Sequence, residues 1–532
     1  MSGAENTSPQ APLGPAATEP PLGFWAVAAT TPLRVAVVDP DGTSVTYGEL
    51  REQVDGLSHA LRGLGIGRGE VIALLARNHH RFALVVLAAE QIGVHVVPLN
   101  HHSAADEIGW ILGDSQAKLI ITDEVMRPLA TAALDGVELP ATARFTFGVA
   151  EGYRDLLDVI AAQPPHPVEN RVAGGTMPYT SGTTGRPKGV RRADIDITPE
   201  LRLKLQMPIF ERRAMLPGHR TYLGAGPLYH TAPGQHAFAS LHFGYTVILM
   251  DGWDSEEFLA LVQRHRVTHT HLVPIHFVRL LALDSTQRAR YDTSSLEVVM
   301  HAGAPCPVHV KHRMIEWLGP IVFEYYAGSE GLVTSVTSEE WLKRPGTVGS
   351  IHAAGKLVRI LDEHGEELPP GEAGLIYAQS LIPFEYHRDP RKTEATRKDG
   401  LFTLGDYGHV DQDGWLFLSD RRSDLILSGG VNIYPAEVES RLTEHPAVAD
   451  VAVYGVPDEE WGERVIADVI LSEDAPAPHD PAGELQEFCR QTLAAFKAPR
   501  EIRIVSALPR SEAGKLQRRL LRKAYTSVAA YS

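Results

Sequence analysis

The sequence predicts a mixed α/β chain: a large N-terminal domain of βαβ layers with a β-barrel-like part, then a small α+β C-terminal domain. Three observations carry this expectation. At 532 residues the chain is too long for a single compact core. Up to about residue 350, short apolar runs alternate with stretches of helical spacing, the texture of parallel strands covered on both faces. Beyond that point, β-type runs are separated by tight-turn signals.

In order along the chain, residues 1–22 have neither a basic start nor an apolar stretch, so they read as a disordered Pro/Ala tail and not as a signal peptide. Val45 to Gly69 carries apolar residues at helical spacing and ends in a glycine cluster, which predicts an amphipathic helix with a C-cap. VIALLA (Val71 to Ala76), FALVVLAAEQIG and VHVVPLN then read as strand, helix, strand. The same texture returns in EIGWILGDS and KLIIT, in FLALVQRHR and VTHTHLVP, and in VKHRMIEWL and IVFEYY, without a fixed-period repeat. In GKLVRILDEHGEELPPGEAGLIYAQS and GLFTLGDYGHVDQDGWLFLSD, the HG, PPG and DG turns predict hairpins. AVADVAVYGVPDEEWGERVIADVIL, a helix around Leu485 to Phe496 and a strand at Glu501 to Val505 complete a small α+β unit. A boundary near Arg421 separates residues 23–420 from 421–532 and leaves a C-terminal domain of roughly 110 residues, an ordinary size.

Composition narrows the class of partner. The net charge of −16, from 50 basic and 66 acidic residues, argues against non-specific nucleic-acid binding and does not favour anionic membranes. No apolar run reaches the ~20 residues that cross a bilayer; the longest, Phe82 to Leu99, is interrupted by Glu90, Gln91 and His95. Two cysteines, Cys306 and Cys489, cannot build a disulfide framework, so a reducing, cytoplasmic setting is expected. Small ligands are the simplest partners left.

YTSGTTGRPKGV (Tyr179 to Val190) concentrates hydroxyls, glycines and one lysine between apolar segments. It is not a Walker A loop, because Pro187 intervenes and Gly189 follows Lys188. Thr180, Ser181, Thr183 and Thr184 nevertheless offer hydroxyl donors, and Gly182, Gly185 and Gly189 let backbone N–H groups approach an anion beside the charge of Lys188. On composition alone, a surface turn fits equally well.

Partners for the loop follow in order. PLYHTA (Pro227 to Ala232), AGAP (Ala302 to Pro305), YYAGSEG (Tyr325 to Gly331), PGTVG, TLGDYG (Thr403 to Gly408), DRRSDLILSGGVNIYPAEVE (Asp420 to Glu439) and LPRSEAGKLQR (Leu508 to Arg518) join TSGTTGRPKG. Together these eight stretches, spanning nearly everything after the tail, resemble the core motifs of the adenylate-forming superfamily of acyl-CoA synthetases, peptide-synthetase adenylation domains and luciferases. The resemblance implies ATP, Mg²⁺ and coenzyme A as cofactors and a fatty, aryl or polycyclic carboxylic acid as substrate. By the same resemblance, the 180–189 loop grips the β- and γ-phosphates and Thr180 orients the nucleotide. Glu330 takes the magnesium position, a role suited to a carboxylate. Tyr326 and the backbone of Ala302, Gly303 and Ala304 outline the adenine slot, and Tyr325, Ala327 and Ser329 belong to the same nucleotide-binding stretch. Asp406 accepts from the ribose hydroxyls, and Arg421 contacts ribose or phosphate near a hinge at 421–423. Lys515 bridges the α-phosphate and the substrate carboxylate. The resemblance further implies a mobile C-terminal domain that rotates after adenylation, removing Lys515 and bringing Gly430 to the thiol tunnel. His230 matches a gate between acyl pocket and thiol tunnel.

Four positions depart from the family pattern: Ala302 and Ala327 replace glycines, Ser329 replaces threonine, and Ser423 stands at the hinge. A methyl where backbone faces the nucleotide costs ~1–3 kcal/mol by overpacking, so an enzyme that mainly thioesterifies a supplied adenylate is one alternative. A stand-alone enzyme loading a carrier protein and a non-catalytic nucleotide-binding sensor are others; full two-step ligation is favoured because Lys515 is retained. A homodimer is compatible with this reading, though no residue pattern demands one. The HxxxD string from His409 to Asp413 crosses a DG turn and is set aside. His269 and His271 share one face of a predicted strand, for which packing or pocket lining is favoured over metal ligation. Acyl specificity is expected around Tyr229 to Phe238 and Ala302 to Gly303.

Overall fold

The computed structural model describes residues 20–532 apart from 165, 181–186, 353–356, 381, 422–423, 429–430, 459–460, 473–478, 494, 512–515 and 530–532; for 420, 421, 431, 432 and 527–529 only the backbone is described. Five sheets organise these residues. One is a parallel sheet of six strands, ordered Arg154–Asp155, Arg144–Thr146, Ile120–Thr122, Val71–Leu75, His95–Pro98 and Gly175–Thr176. The second has eight strands: Val322–Gly328, Val298–His301, His269–Leu272, Thr221–Gly224, Thr246–Leu249 and Val35–Val38 run parallel, with antiparallel Gly331–Val336 and Ser44–Thr46 at the edges.

The two sheets share a helical filling. Successive strand side chains point to opposite faces, so Ile72 and Leu74 enter one core while Val71, Ala73 and Leu75 enter another. The first of these cores also takes Tyr222, Val247 and Leu249 from the eight-stranded sheet, together with the helices Tyr47–Gly63 and His80–Glu90. Burial on both faces explains why VIALL is apolar at every position. Tyr47–Gly63 starts at a reciprocal cap, in which Thr46 accepts from Glu49 N–H and Glu49 accepts from Thr46 N–H. It stops at Gly63, within the predicted span that ran on through the glycines to Gly69.

The predicted hairpins form. Val358–Leu361 pairs with Gly374–Ala378, and Leu401–Val410 with Trp415–Arg421, in an antiparallel sheet of six strands. A three-stranded sheet joins Tyr179–Thr180, Lys188–Arg192 and Phe384–Tyr386. The last sheet pairs Val448–Asp458 with Gly462–Leu471 and adds Glu501–Ile504 in parallel. Among the described residues, its apolar core draws on Ile426 and later positions alone. Within it the helix is Pro481–Arg490, earlier than the expected Leu485 to Phe496. Asp480 sets the start by accepting from Gly483 N–H, with Pro481 at the first helical position. No described helix is long and apolar enough to cross a membrane.

Candidate active site

In open α/β sheets, ligands settle outside the carboxyl ends of the strands, and a cavity of about 480 Å³ opens there. Gly226 and Pro227 enter it after Thr221–Gly224, Val273 after His269–Leu272, Ala302 and Gly303 after Val298–His301, and Ala327 to Glu330 at the end of Val322–Gly328. Gly303 turns the chain at φ 89°, a left-handed conformation that disfavours side chains. The strand pair Tyr179–Thr180 and Lys188–Arg192 forms another wall and brings Thr180, Lys188 and Arg192 to the cavity.

Of the expected site residues, Thr180, Lys188, His230, Ala302, Gly303, Tyr325, Ala327, Ser329 and Glu330 therefore line one space. Ala304 is half-buried outside that lining. Tyr326 and Asp406 stand beside it: the Tyr326 hydroxyl donates to Asp406 Oδ2 at 2.6 Å, and the Tyr326 ring packs into the core of the antiparallel sheet. Asp406 faces Arg421 in strand register. Ser181, Gly182, Thr183, Thr184, Gly185, Gly430 and Lys515, with the hinge residue Ser423, lie outside the described residues, as does the Arg421 side chain.

Glu330 is 8 % exposed and accepts from the Tyr386 hydroxyl at 2.8 Å. Burial and that carboxylate push the Tyr386 phenol up, so it holds its proton. Close by, the half-buried Arg192 donates to Ser329 O at 2.8 Å; desolvation lowers its pKa to about 10, with the Glu330 charge opposing that shift. Ser329 Oγ is 2.8 Å from Thr231 Oγ1, tying the strand end to the helix Thr231–His242, at whose N-cap stands His230. Lys188 Nζ donates to Asp389 Oδ2 at 2.7 Å, so the loop lysine enters the site with an acidic partner. Asp389 also caps the helix Pro390–Ala395, so Lys188 is held in place against a fixed partner.

Burial makes the inner histidines neutral bases. His271 lines the cavity, and burial lowers its pKa to about 3; His276 follows at about 3 and His269 at about 4 for the same reason. His269 is packed in the interior and His271 lines the cavity, as expected of packing or lining residues. Among the described residues, the one grouping with metal-ligand spacing is Asp39, His79 and His80, elsewhere.

Several lining residues were not legible beforehand: Arg192, Arg202, Arg213 and Tyr386. Arg202 and Arg213 come from the helix Pro199–Glu211 and the turn after it, in a segment whose many charges look solvated. The only sequence signal was a cationic pair, Arg212–Arg213, followed directly by apolar residues.

A glutamate at a strand end, a threonine bordering a glycine-rich loop and an aspartate on a neighbouring hairpin can hold a nucleotide triphosphate with its cation. Comparison with known proteins agrees. The family profile described as AMP-binding enzyme matches residues 24–381, and that of the AMP-binding enzyme C-terminal domain matches 437–515. The 2-succinylbenzoate–CoA ligase of Bacillus licheniformis is 31% identical over 502 residues, covering 92% of this chain and 97% of that protein. A feruloyl-CoA synthase of Amycolatopsis sp is 32% identical over 518 residues, covering 95% and 99%. Among solved structures, the amide bond synthetase McbA from Marinactinospora thermotolerans superposes with a TM-score of 0.80 at 29% identity, covering 92% of this chain and 97% of that one. The chain belongs to the AMP-binding enzymes of the adenylate-forming superfamily.

Proposed function

We propose that the chain is an ATP-dependent acid–thiol ligase, which converts a carboxylic acid to an acyl-adenylate and then to its coenzyme A thioester. The observation that carries this is the convergence of Thr180, Lys188, His230 and Glu330 on one cavity at the carboxyl ends of the parallel strands. In the first step, the substrate carboxylate attacks the α-phosphate and pyrophosphate leaves, so charge grows on phosphate oxygens and needs fixed donors. Thr180 and the 181–186 loop grip the phosphates; Lys188, anchored by Asp389, adds positive charge. Asp406, oriented by Tyr326, accepts from the ribose.

The residues present fit a magnesium ion: Glu330 is a carboxylate whose second oxygen remains after Tyr386 has engaged the first, and Mg²⁺ takes one or two carboxylates plus phosphate oxygens. Bound there, the ion neutralises phosphate charge. Lys515 then serves adenylation, and Gly430 the thiol approach, from a C-terminal domain that turns about a hinge near 421–423. The separate apolar core beyond Ile426 supports such a movable unit. Two cysteines without a disulfide support a reducing cytoplasmic setting.

The test is mass spectrometry of reactions containing ATP, Mg²⁺, coenzyme A and a panel of fatty, aryl and polycyclic acids. AMP, pyrophosphate and an acyl-CoA are expected together. The likeness to an amide bond synthetase supplies the competing reading: amide formation with an added amine, and no thioester with coenzyme A, would replace the ligase assignment.

A further inference from the structure

Among the described residues, Arg192, Arg202 and Arg213 are the arginines of the cavity wall. Arg192 has Glu330 close by, and Arg202 acts on Glu90, which His242 also pairs. Arg213 differs. It is 4 % exposed, and among the described residues no carboxylate pairs with it. Its guanidinium lies 4.0 Å from the centre of the Tyr325 ring, and Nη1 is 3.3 Å from His236 Nε2.

The neighbours supply no negative charge. His236 Nδ1 is 2.7 Å from Ala232 O, so Nδ1 carries the proton and Nε2 accepts from Arg213. His271, 4.8 Å from His236 ring to ring, is kept neutral by burial, and the Tyr325 hydroxyl, its pKa raised by burial to about 12, keeps its proton and donates to His271 Nε2 at 2.9 Å. Among the described residues, Arg213 Nε has no hydrogen-bond partner. Arginine stays protonated even when buried, and a buried charge without a counter-charge is strongly unfavourable. With Nη1 occupied by His236 and Nε buried, the part of the guanidinium that meets the cavity is left to grip a carboxylate.

That carboxylate is not the reacting one. The reacting group belongs beside Thr180, Lys188 and Glu330, whereas Arg213 enters the cavity from the turn after the helix Pro199–Glu211 and packs on Tyr325. Arg213 lies instead against Tyr325, which precedes Ala327 and Glu330 on the way to the strand end. Resting on the ligase reading for the identity of the reacting end, we infer that Arg213 binds a second carboxylate at the far end of the acid, so that the enzyme selects diacids.

Equilibrium binding by calorimetry tests this with wild type, Arg213→Met and Arg213→Lys. The probes are straight-chain dicarboxylates and carboxyphenyl alkanoates, each against a methyl-terminated monoacid of equal length. Wild type should bind at least one diacid about 100-fold more tightly than its matched monoacid. Arg213→Met should erase that preference, and Arg213→Lys should keep part of it by retaining the charge. The wild-type comparison decides even if the methionine variant does not fold. If no diacid of the panel beats its partner, or if folded Arg213→Met keeps the preference, the inference is wrong. A diacid preference in binding with no ATP-dependent thioester sinks the ligase reading and leaves this inference standing. Thioesters from monoacids without any diacid preference do the reverse.

Discussion

Glu330 shows how one side chain is prepared for its work. It is almost fully buried, yet its charge is supported by a phenol at 2.8 Å and by the nearby Arg192. Glu330→Gln keeps the shape and removes the charge; ATP–pyrophosphate exchange should fall about 100-fold or more, since hydrogen bonds and metal contacts to charged groups are the strong ones. Tyr386→Phe removes only the orienting bond and should cost at least about 10-fold, the effect of a bond to a charged group worth roughly 1.5 kcal/mol or more. Exchange rates measured across Mg²⁺ concentrations separate the two, because only the glutamine variant should need more metal. The place of Glu330 in the cavity was legible from YYAGSEG; that of Tyr386 was not, because nothing in IPFEYHRD distinguishes a tyrosine that reaches a carboxylate 56 residues away.

At the scale of elements, close backbone approach matters more than propensity. A Cβ on Gly174 would lie 2.3 Å from Val94 O and 2.5 Å from Ala89 O, just before the strand Gly175–Thr176 closes the parallel sheet. Gly174→Ala should therefore lose about 3 kcal/mol of stability or fail to fold, through backbone overpacking. Gly113 sits on the exposed face of the helix Ala105–Ser115, where an added Cβ would meet nothing within 4 Å; Gly113→Ala should gain about 0.5–1 kcal/mol. Thermal unfolding of the pair reads both. The strands and helices of the large domain were visible in the sequence because apolar period and length agree with burial, as in VIALL and FALVVLAAE. The helix after residue 480 was misplaced because its start is set by one capping contact.

For the whole molecule, acid is the informative stress. His271, His276 and His269 are held neutral by burial, near 3, 3 and 4, against about 6.5 in an unfolded chain. Between those values the unfolded chain binds protons that the native one refuses. The stability these groups contribute is thus whole above about 6.5 and drains as pH falls, at up to about 1.4 kcal/mol per pH unit for each histidine. The unfolding midpoint should drop steadily from pH 7 to pH 5, and His271→Gln should flatten part of that slope. The division into separately cored units gives a second outcome. A chain ending at residue 420 should still fold and bind AMP within about 10-fold of wild type, because few contacts cross a domain boundary. It should form no thioester, and calorimetry beside a product assay checks both halves.

By itself the sequence determined the α/β class, the order of the motifs and the kind of chemistry, because these depend on local period, turn residues and short runs of characteristic composition. Only the tertiary structure decided which residues share the cavity. It buried Arg213 among neutral histidines and Tyr325, brought Tyr386 to Glu330, and gave Lys188 the counter-charge of Asp389. Those are contacts between segments far apart in the chain, and electrostatic cost in a buried site depends on what lies within a few ångströms, not on neighbours in sequence.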